Sequence, residues 1–260
     1  MTYVLRLVPM RKRRGIIRPE TDMRTPYGLE IIESCLSCPL RKDRIFCDLP
    51  QPTLQSLDAI SSSATYPKGA ILFVEGQEPR GVFILCNGRV KLMASSADGK
   101  SLILRIADPG ELVGLPGTIS GKPYELTAEA LEPLQANFIP REAFLRFLRE
   151  HGDAALKVAQ ALSEIYHSTC QEVRYLGLSG SAAEKLARFL LDWTDGHSED
   201  KGESRSALTL THEEIAEMIG TSRETVTRLF ADFKRNRLIE VHGSTLVLGN
   251  RAGLQRLLGT

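Results

Sequence analysis

No run of apolar residues in this 260-residue chain approaches the length of a membrane span. The first residues are basic but lack a long apolar core with a small-residue cleavage site, so neither a secretory signal nor a membrane partner is expected. Charge of one sign is also missing. Lys+Arg total 33 against 32 for Asp+Glu, a formal net charge of +1, so the chain is no basic coat and any nucleic-acid affinity must come from local charge. The usual marks of catalysis are absent: no glycine-rich phosphate loop, no paired metal-binding histidines, no nucleophile elbow. The five histidines, His151, His167, His197, His212 and His242, are scattered. An enzyme is therefore not expected. A cytoplasmic location follows, in which five cysteines point to thiols or metal ligands rather than disulfides.

What remains is an ordinary globular composition, 42% hydrophobic and 25% charged, with room for two modest domains and a connector. Residues 208–248 organise the rest. Thr211 can cap a helix, and Glu214 completes a capping box. Ile215, Met218 and Ile219 give that helix an apolar stripe, Gly220 ends it, and Thr221 or Ser222 caps the next. The second helix, near 222–235, carries Val226, Leu229, Phe230 and Phe233 at helical spacing and shows Arg223, Glu224, Thr227 and Arg228 on its other face. Residues 238–241, a His242-Gly243 turn and residues 245–248 form a hairpin. This is the pattern of a winged helix-turn-helix, whose second helix fits the major groove of double-stranded DNA. Lys234 and its basic neighbours would meet phosphate.

That segment resembles the Crp/Fnr superfamily of bacterial transcription regulators, and the resemblance extends from about Cys35 to the end of the chain. It implies that Glu224, Thr227 and Arg228 read base edges, with Thr211, Ser222, Arg223 and Lys234 completing the DNA-binding set. Because Arg223-Glu224 is combined with Thr227-Arg228, either a TGTGA-like or a TTGAT-like half-site is implied. It further implies a homodimer on a palindromic site, with RNA polymerase as a partner.

Cys35-Leu-Ser-Cys38 followed by Cys47 places three thiols in one short stretch, a soft-ligand signal for zinc or iron–sulfur. The resemblance is closer to the Fnr-like branch, where such a group holds a 4Fe–4S cluster. Two departures stand out: the gap to Cys47 is long, and the position of the family's fourth cysteine falls near Asn137. Cys86 is the candidate fourth ligand, with Cys170 a weaker one; zinc, or no metal, are the alternatives. Arg41, Lys42 and Arg44 are expected to lower the thiol pKa values.

Between residues 51 and 140, a short helix at Leu54 and Leu57 precedes many short apolar runs separated by glycine turns, the spacing of a β-sandwich or barrel. Their order resembles the double-stranded β-helix of cyclic-nucleotide-binding domains. Gly110 and Glu111 match part of the ligand cassette and mark a candidate effector pocket. Tyr124-Glu125 stands where the family's nucleotide binders carry Arg-Ser or Arg-Thr, and a carboxylate there repels phosphate, so cyclic AMP is not expected to bind.

From Pro140 the period is helical. Positions 152, 155, 159, 162, 166, 169, 173 and 176 make a heptad seam suited to a dimer helix. The expected architecture is α+β: a basic arm (1–33), a cysteine-rich loop (34–50), a sensor β-barrel (51–140), a dimerisation helix region (141–178) and a winged helix-turn-helix domain (179–260). A hinge is expected at 178–180, a helix over 182–192, a polar loop over 194–206, and a last helix over 251–258 packed on the wing.

Overall fold

The computed structural model describes residues 26–38, 41–44, 46–96, 98–178, 180–197 and 205–258. Most of the basic arm, Ser179 of the expected hinge and residues 198–204 of the expected polar loop lie outside them. After single 3-10 turns at Pro26–Gly28 and Arg41–Asp43, helix α1 (Gln51–Ala59) has proline in its first turn and buries Thr53, Leu54 and Leu57.

Eight strands follow: β1 (Ser62–Tyr66), β2 (Ile71–Phe73), β3 (Gly81–Asn87), β4 (Val90–Ser95), β5 (Ser101–Ala107), β6 (Leu112–Val113), β7 (Thr127–Ala130) and β8 (Leu134–Pro140). They form two four-stranded sheets, β1-β8-β3-β6 and β2-β7-β4-β5, with antiparallel neighbours throughout. Side-chain alternation explains which residues point where. Phe83 and Leu85 of β3 fill the interior with Phe73, Leu92 and Tyr124. Val82 and Ile84, on the other face of β3, join a second core with Leu54, Leu57, Phe144 and Phe147. Being covered on both faces, β3 is apolar almost without interruption. A helix not expected from the sequence, α2 (Leu115–Ser120), separates β6 from β7; it is bracketed by Gly114 and Gly121 in the left-handed region.

Helices α3 (Arg141–Glu150) and α4 (Gly152–Leu178) come next. Helix α4 uses two faces. Ala154 and Val158, with Ala161, Leu162 and Ile165, pack against its own barrel. Much of the expected heptad seam is left open, Tyr166 and Val173 being 68% and 66% exposed.

The C-terminal domain comprises α5 (Ala182–His197), β9 (Arg205–Ala207), α6 (His212–Ile219), α7 (Arg223–Arg235), β10 (Ile239–His242), β11 (Thr245–Leu248) and α8 (Arg251–Leu257). Three expectations need correction. Helix α5 runs on to His197, because Leu190, Leu191 and Trp193 continue its buried face. The end of the expected polar loop is strand β9, which pairs with β11 and makes the wing three-stranded. Helix α8 lies on α5 rather than mainly on the wing, with Arg251 gripping Asp195 at 2.6 and 2.8 Å.

The two domains of one protomer touch. Leu131 and Ile106 of the barrel pack into the core of the C-terminal domain. Arg89, in the β3–β4 turn, pairs with Glu132, donates to Thr209 Oγ1 at 2.7 Å and lies 5.7 Å from the Trp193 ring centroid.

Candidate functional site

Helices α6 and α7 are positioned by their own caps. Thr211 accepts from the Glu214 amide, and the Glu214 carboxylate accepts from the Thr211 amide at 2.8 Å, closing the capping box. Gly220 takes the left-handed conformation that ends α6, and Ser222 Oγ caps α7 by accepting from Thr225 N at 3.2 Å. Val226, Phe230 and Phe233 bury one face of α7. Arg223, Glu224, Thr227, Arg228 and Lys234 are exposed on the others, and no ion pair among the described residues engages the three basic ones. All seven residues of the sequence-derived DNA-binding set are thus exposed, Thr211 and Ser222 as the caps of α6 and α7 and the other five on α7. Sequence reasoning passed over His212. Its Nδ1 lies 2.9 Å from Thr227 Oγ1, and its ring leans on Phe230 at 4.7 Å. Burial, then Lys234 and Arg223, hold the His212 pKa below the ordinary histidine range.

A second group of candidate residues, four of the five cysteines, is near the β8–β3 pair, where Asn137 of β8 contacts Cys35 and Cys86 belongs to β3. Ionising Cys86 or Cys47 would oppose ionisation of Cys35, Cys38 would oppose that of Cys47, and Cys47 and Cys38 that of Cys86. Cys35 and Cys47 pack against the core shared by α1, α3 and Ile84. Cys86 sits at a register shift of β3: Leu85 faces Ala136 and Asn87 faces Gln135, so Cys86 is the extra residue of a β-bulge. Bulges re-aim a side chain. Among the described residues, no three His, Cys, Asp or Glu side chains are arranged to hold one metal ion. The thiols are therefore electrostatic neighbours without being closed around a point.

Long-range hydrogen bonds dock the loop. Asp58, at the end of α1, accepts from Ser34 Oγ at 3.0 Å and Cys35 N at 2.9 Å. Gln135 clasps the backbone of Ile32 through both ends of its amide. Asn137, where the resemblance puts a fourth cysteine, donates through Nδ2 to Cys35 Sγ at 3.3 Å, and its Oδ1 is buried without a partner. Asp58 was not legible as a site residue, because nothing local links it to Cys35, and Asn137 was marked only as the place of a missing thiol, not as a partner of Cys35.

The expected lowering of the thiol pKa values is reversed. Burial pushes Cys35 up to about 12, Cys47 to about 11 and Cys86 to about 12. Arg44 pulls down on Cys47 and Cys86, but burial outweighs it. Cys170 lies apart on α4, hydrogen-bonded to Tyr166.

The candidate effector residues behave differently from expectation. Glu111 binds Arg105 at 2.6 Å and accepts from Asp108 N at 2.9 Å. Gly110 has φ +97°, and a Cβ there would strike the Arg44 side chain at 2.6–2.9 Å, so glycine lets the cysteine loop lie on the barrel. Neither residue lines the adjoining cleft of about 740 Å³, which includes its open mouth. That cleft is walled by Phe73, Leu92, Leu112 and Tyr124 of the barrel and by Ile165 and Val173 of α4. Its one cation, Arg105, is held by Glu111. Tyr124 stacks on Phe73 at 4.0 Å and donates to Gly81 O, while Glu125 also lines the cleft.

An eight-stranded sensor sandwich, a long helix with an open apolar seam and a winged helix-turn-helix together define a two-domain transcription regulator. The model of the cyclic nucleotide-binding domain matches residues 64–151, and that of the Crp-like helix-turn-helix domain matches 184–257. The CRP-like cAMP-activated global transcriptional regulator of Mycobacterium tuberculosis is 23% identical over 84% of this chain and 97% of its own length. The fumarate and nitrate reduction regulatory protein of Vibrio cholerae is 27% identical over 86% of this chain and 90% of its own. The structure of FixK2 from Bradyrhizobium japonicum superposes with a TM-score of 0.68 at 23% identity, covering 76% of this chain and 97% of that one, a likeness of fold. The chain belongs to the Crp/Fnr family of transcription regulators, whose Crp-like members bind DNA and act as dimers. It is a regulator and not an enzyme.

Proposed function

We propose that this chain is a cytoplasmic, homodimeric regulator that reads a palindromic DNA site and is switched by oxygen or redox state at a cysteine-held 4Fe–4S cluster. The carrying observation is that Cys35 and Cys47 pack on one core beside β3, whose bulge carries Cys86, and that these thiols and Cys38 are near enough to oppose one another's ionisation. The donor chemistry suits such a group, since four free thiols are soft ligands, but the described side chains would have to close in to hold it, because no three of them are arranged around one metal ion. A cluster bound there supplies oxygen-sensitive redox chemistry. Because burial holds Cys35, Cys47 and Cys86 protonated, its binding must release protons from them.

The chain's own residues offer a route onward. Asp58 ties the cysteine loop to the end of α1, and Thr53 of α1 donates to Asp153 Oδ2, in the first turn of α4, at 2.8 Å. A change in the loop therefore biases the helix that carries the open dimer seam, and that helix sets the separation of the two reading heads. In each head Arg223, Glu224, Thr227 and Arg228 face base edges, while Lys234 and the α6 and α7 caps at Thr211 and Ser222 face phosphate. RNA polymerase is the expected partner of the DNA-bound dimer.

A small uncharged effector in the cleft is the alternative, with zinc or nothing at the cysteines. The apolar walls favour it. Cyclic AMP is a poor fit for this cleft, since Arg105 is already neutralised by Glu111 and Glu125 would oppose phosphate. The test is the affinity of protein purified without oxygen for a duplex selected from a random pool, before and after exposure to air. An affinity change of about tenfold or more supports the switch; identical affinities in both states remove it and leave the effector alternative.

A further inference from the structure

The reading face carries a histidine that base recognition by α7 does not itself require. His212, the first residue of α6, leans on Phe230 of α7 and brings Nδ1 to 2.9 Å from Thr227 Oγ1. The same oxygen lies 2.9 Å from the Arg223 carbonyl one turn back. A threonine hydroxyl has one proton. It goes either to the Arg223 carbonyl, with imidazole Nδ1–H donating to the oxygen, or to Nδ1 itself; in both arrangements it is committed inside the protein. Two contacts on one oxygen also fix χ1 of a β-branched side chain that has few rotamers to begin with. Thr227 is exposed, so with its proton spent it can offer a groove only acceptor lone pairs and its methyl group. The major groove has one apolar group of its own, the C5-methyl of thymine.

We propose that Thr227 reads a thymine through methyl–methyl contact, and that His212 is the positioning residue that turns its hydroxyl away from the DNA. The proposal rests on α7 being the reading helix. The neutral imidazole suits the role: burial, with Lys234 and Arg223 nearby, disfavours its protonation, so at neutral pH the ring stays bonded to a neutral partner instead of competing for phosphate.

The experiment uses the full chain. A duplex is selected from a random pool, and each of its thymines is then replaced in turn by deoxyuridine, which deletes only the methyl. One thymine per half-site should lose about fourfold in affinity on replacement, the ratio expected for one buried methyl. Thr227→Ser should abolish that sensitivity and Thr227→Val should keep it. His212→Ala should flatten it, and His212→Asn, which can present a nitrogen donor near the place of Nδ1, should restore it. Loss of overall affinity alone, with the thymine profile intact, would make His212 merely structural and overturn its role. A successful selection with no uracil-sensitive thymine, or a sensitivity that survives Thr227→Ser, overturns the methyl reading. A pool from which nothing enriches overturns the assignment of α7 and the inference with it.

Discussion

The reading head and the cysteine site are built in opposite ways. In the head, the contacts that set geometry are local: the capping box spans three residues, as does the Ser222 cap, and His212 reaches Thr227 across only fifteen. At the cysteine site, Asn137 reaches Cys35 across 102 residues and Gln135 reaches Ile32 across 103. Local contacts set a shape that persists wherever the helices form. Long-range contacts make a site that exists only when the barrel, α1 and the loop are assembled together. A reader needs the first kind of rigidity, and the sensor proposed at the cysteines would gain from the second, since a change at one contact is felt at several elements.

The comparison can be broken most severely at the head's core. Phe230→Ala removes a buried ring that also supports His212, and should cost about 3–5 kcal/mol of the C-terminal domain's stability by thermal or denaturant unfolding. The barrel's unfolding should shift far less; an equal shift would show that the two domains unfold as one unit through Leu131 and Arg89. Next comes Arg228→Ala, which should cost about 1–3 kcal/mol at one base pair and relax preference there. Lys234→Ala should weaken all sequences alike and lower the salt slope by about one. If the two variants behave identically in a salt titration of selected and random duplexes, the division between base and phosphate contacts is wrong.

Thr53→Val sharpens the comparison from the sensor's side. It leaves all four thiols in place but removes the bond to Asp153, so the iron content should be unchanged while the difference in operator affinity between anaerobic and air-exposed protein shrinks. An undiminished difference would exclude the α1–α4 route. The smallest effect is expected from pH. The folded His212 takes its proton at a lower pH than the unfolded one, so the unfolded chain binds more protons as pH falls. Stability is therefore whole above the ordinary histidine value of 6.5 and declines as pH drops through it toward the lower folded value. Melting temperatures at pH 5.5 and 7.5 should differ slightly more for the parent chain than for His212→Asn.

How much was legible in the sequence follows the same division. The caps at Thr211, Gly220 and Ser222 and the buried face of α7 were readable because each signal and its consequence lie within a turn of helix. The heptad seam was readable as a period, and the structure leaves Tyr166 and Val173 of it open. Strand β9 and helix α2 were missed because three and six residues are too short for a period to register. Gly110-Glu111 was recognisable as a motif, yet its glycine accommodates Arg44 and its carboxylate holds Arg105, facts that depend on which loop packs there. The thiol pKa values went the wrong way for a related reason: Arg41, Lys42 and Arg44 are visible in the sequence, whereas the burial that outweighs Arg44 is a property of the assembled fold.

The central claim is that four thiols from the loop and the barrel act as one ligand set. Iron, acid-labile sulfide and zinc should be measured in protein purified without oxygen, for the parent chain and for Cys86→Ser in parallel. The account predicts about four irons and four sulfides per subunit in the parent and a loss of most of both in the variant. Stoichiometric zinc, no metal at all, or a full cluster retained by Cys86→Ser would contradict it.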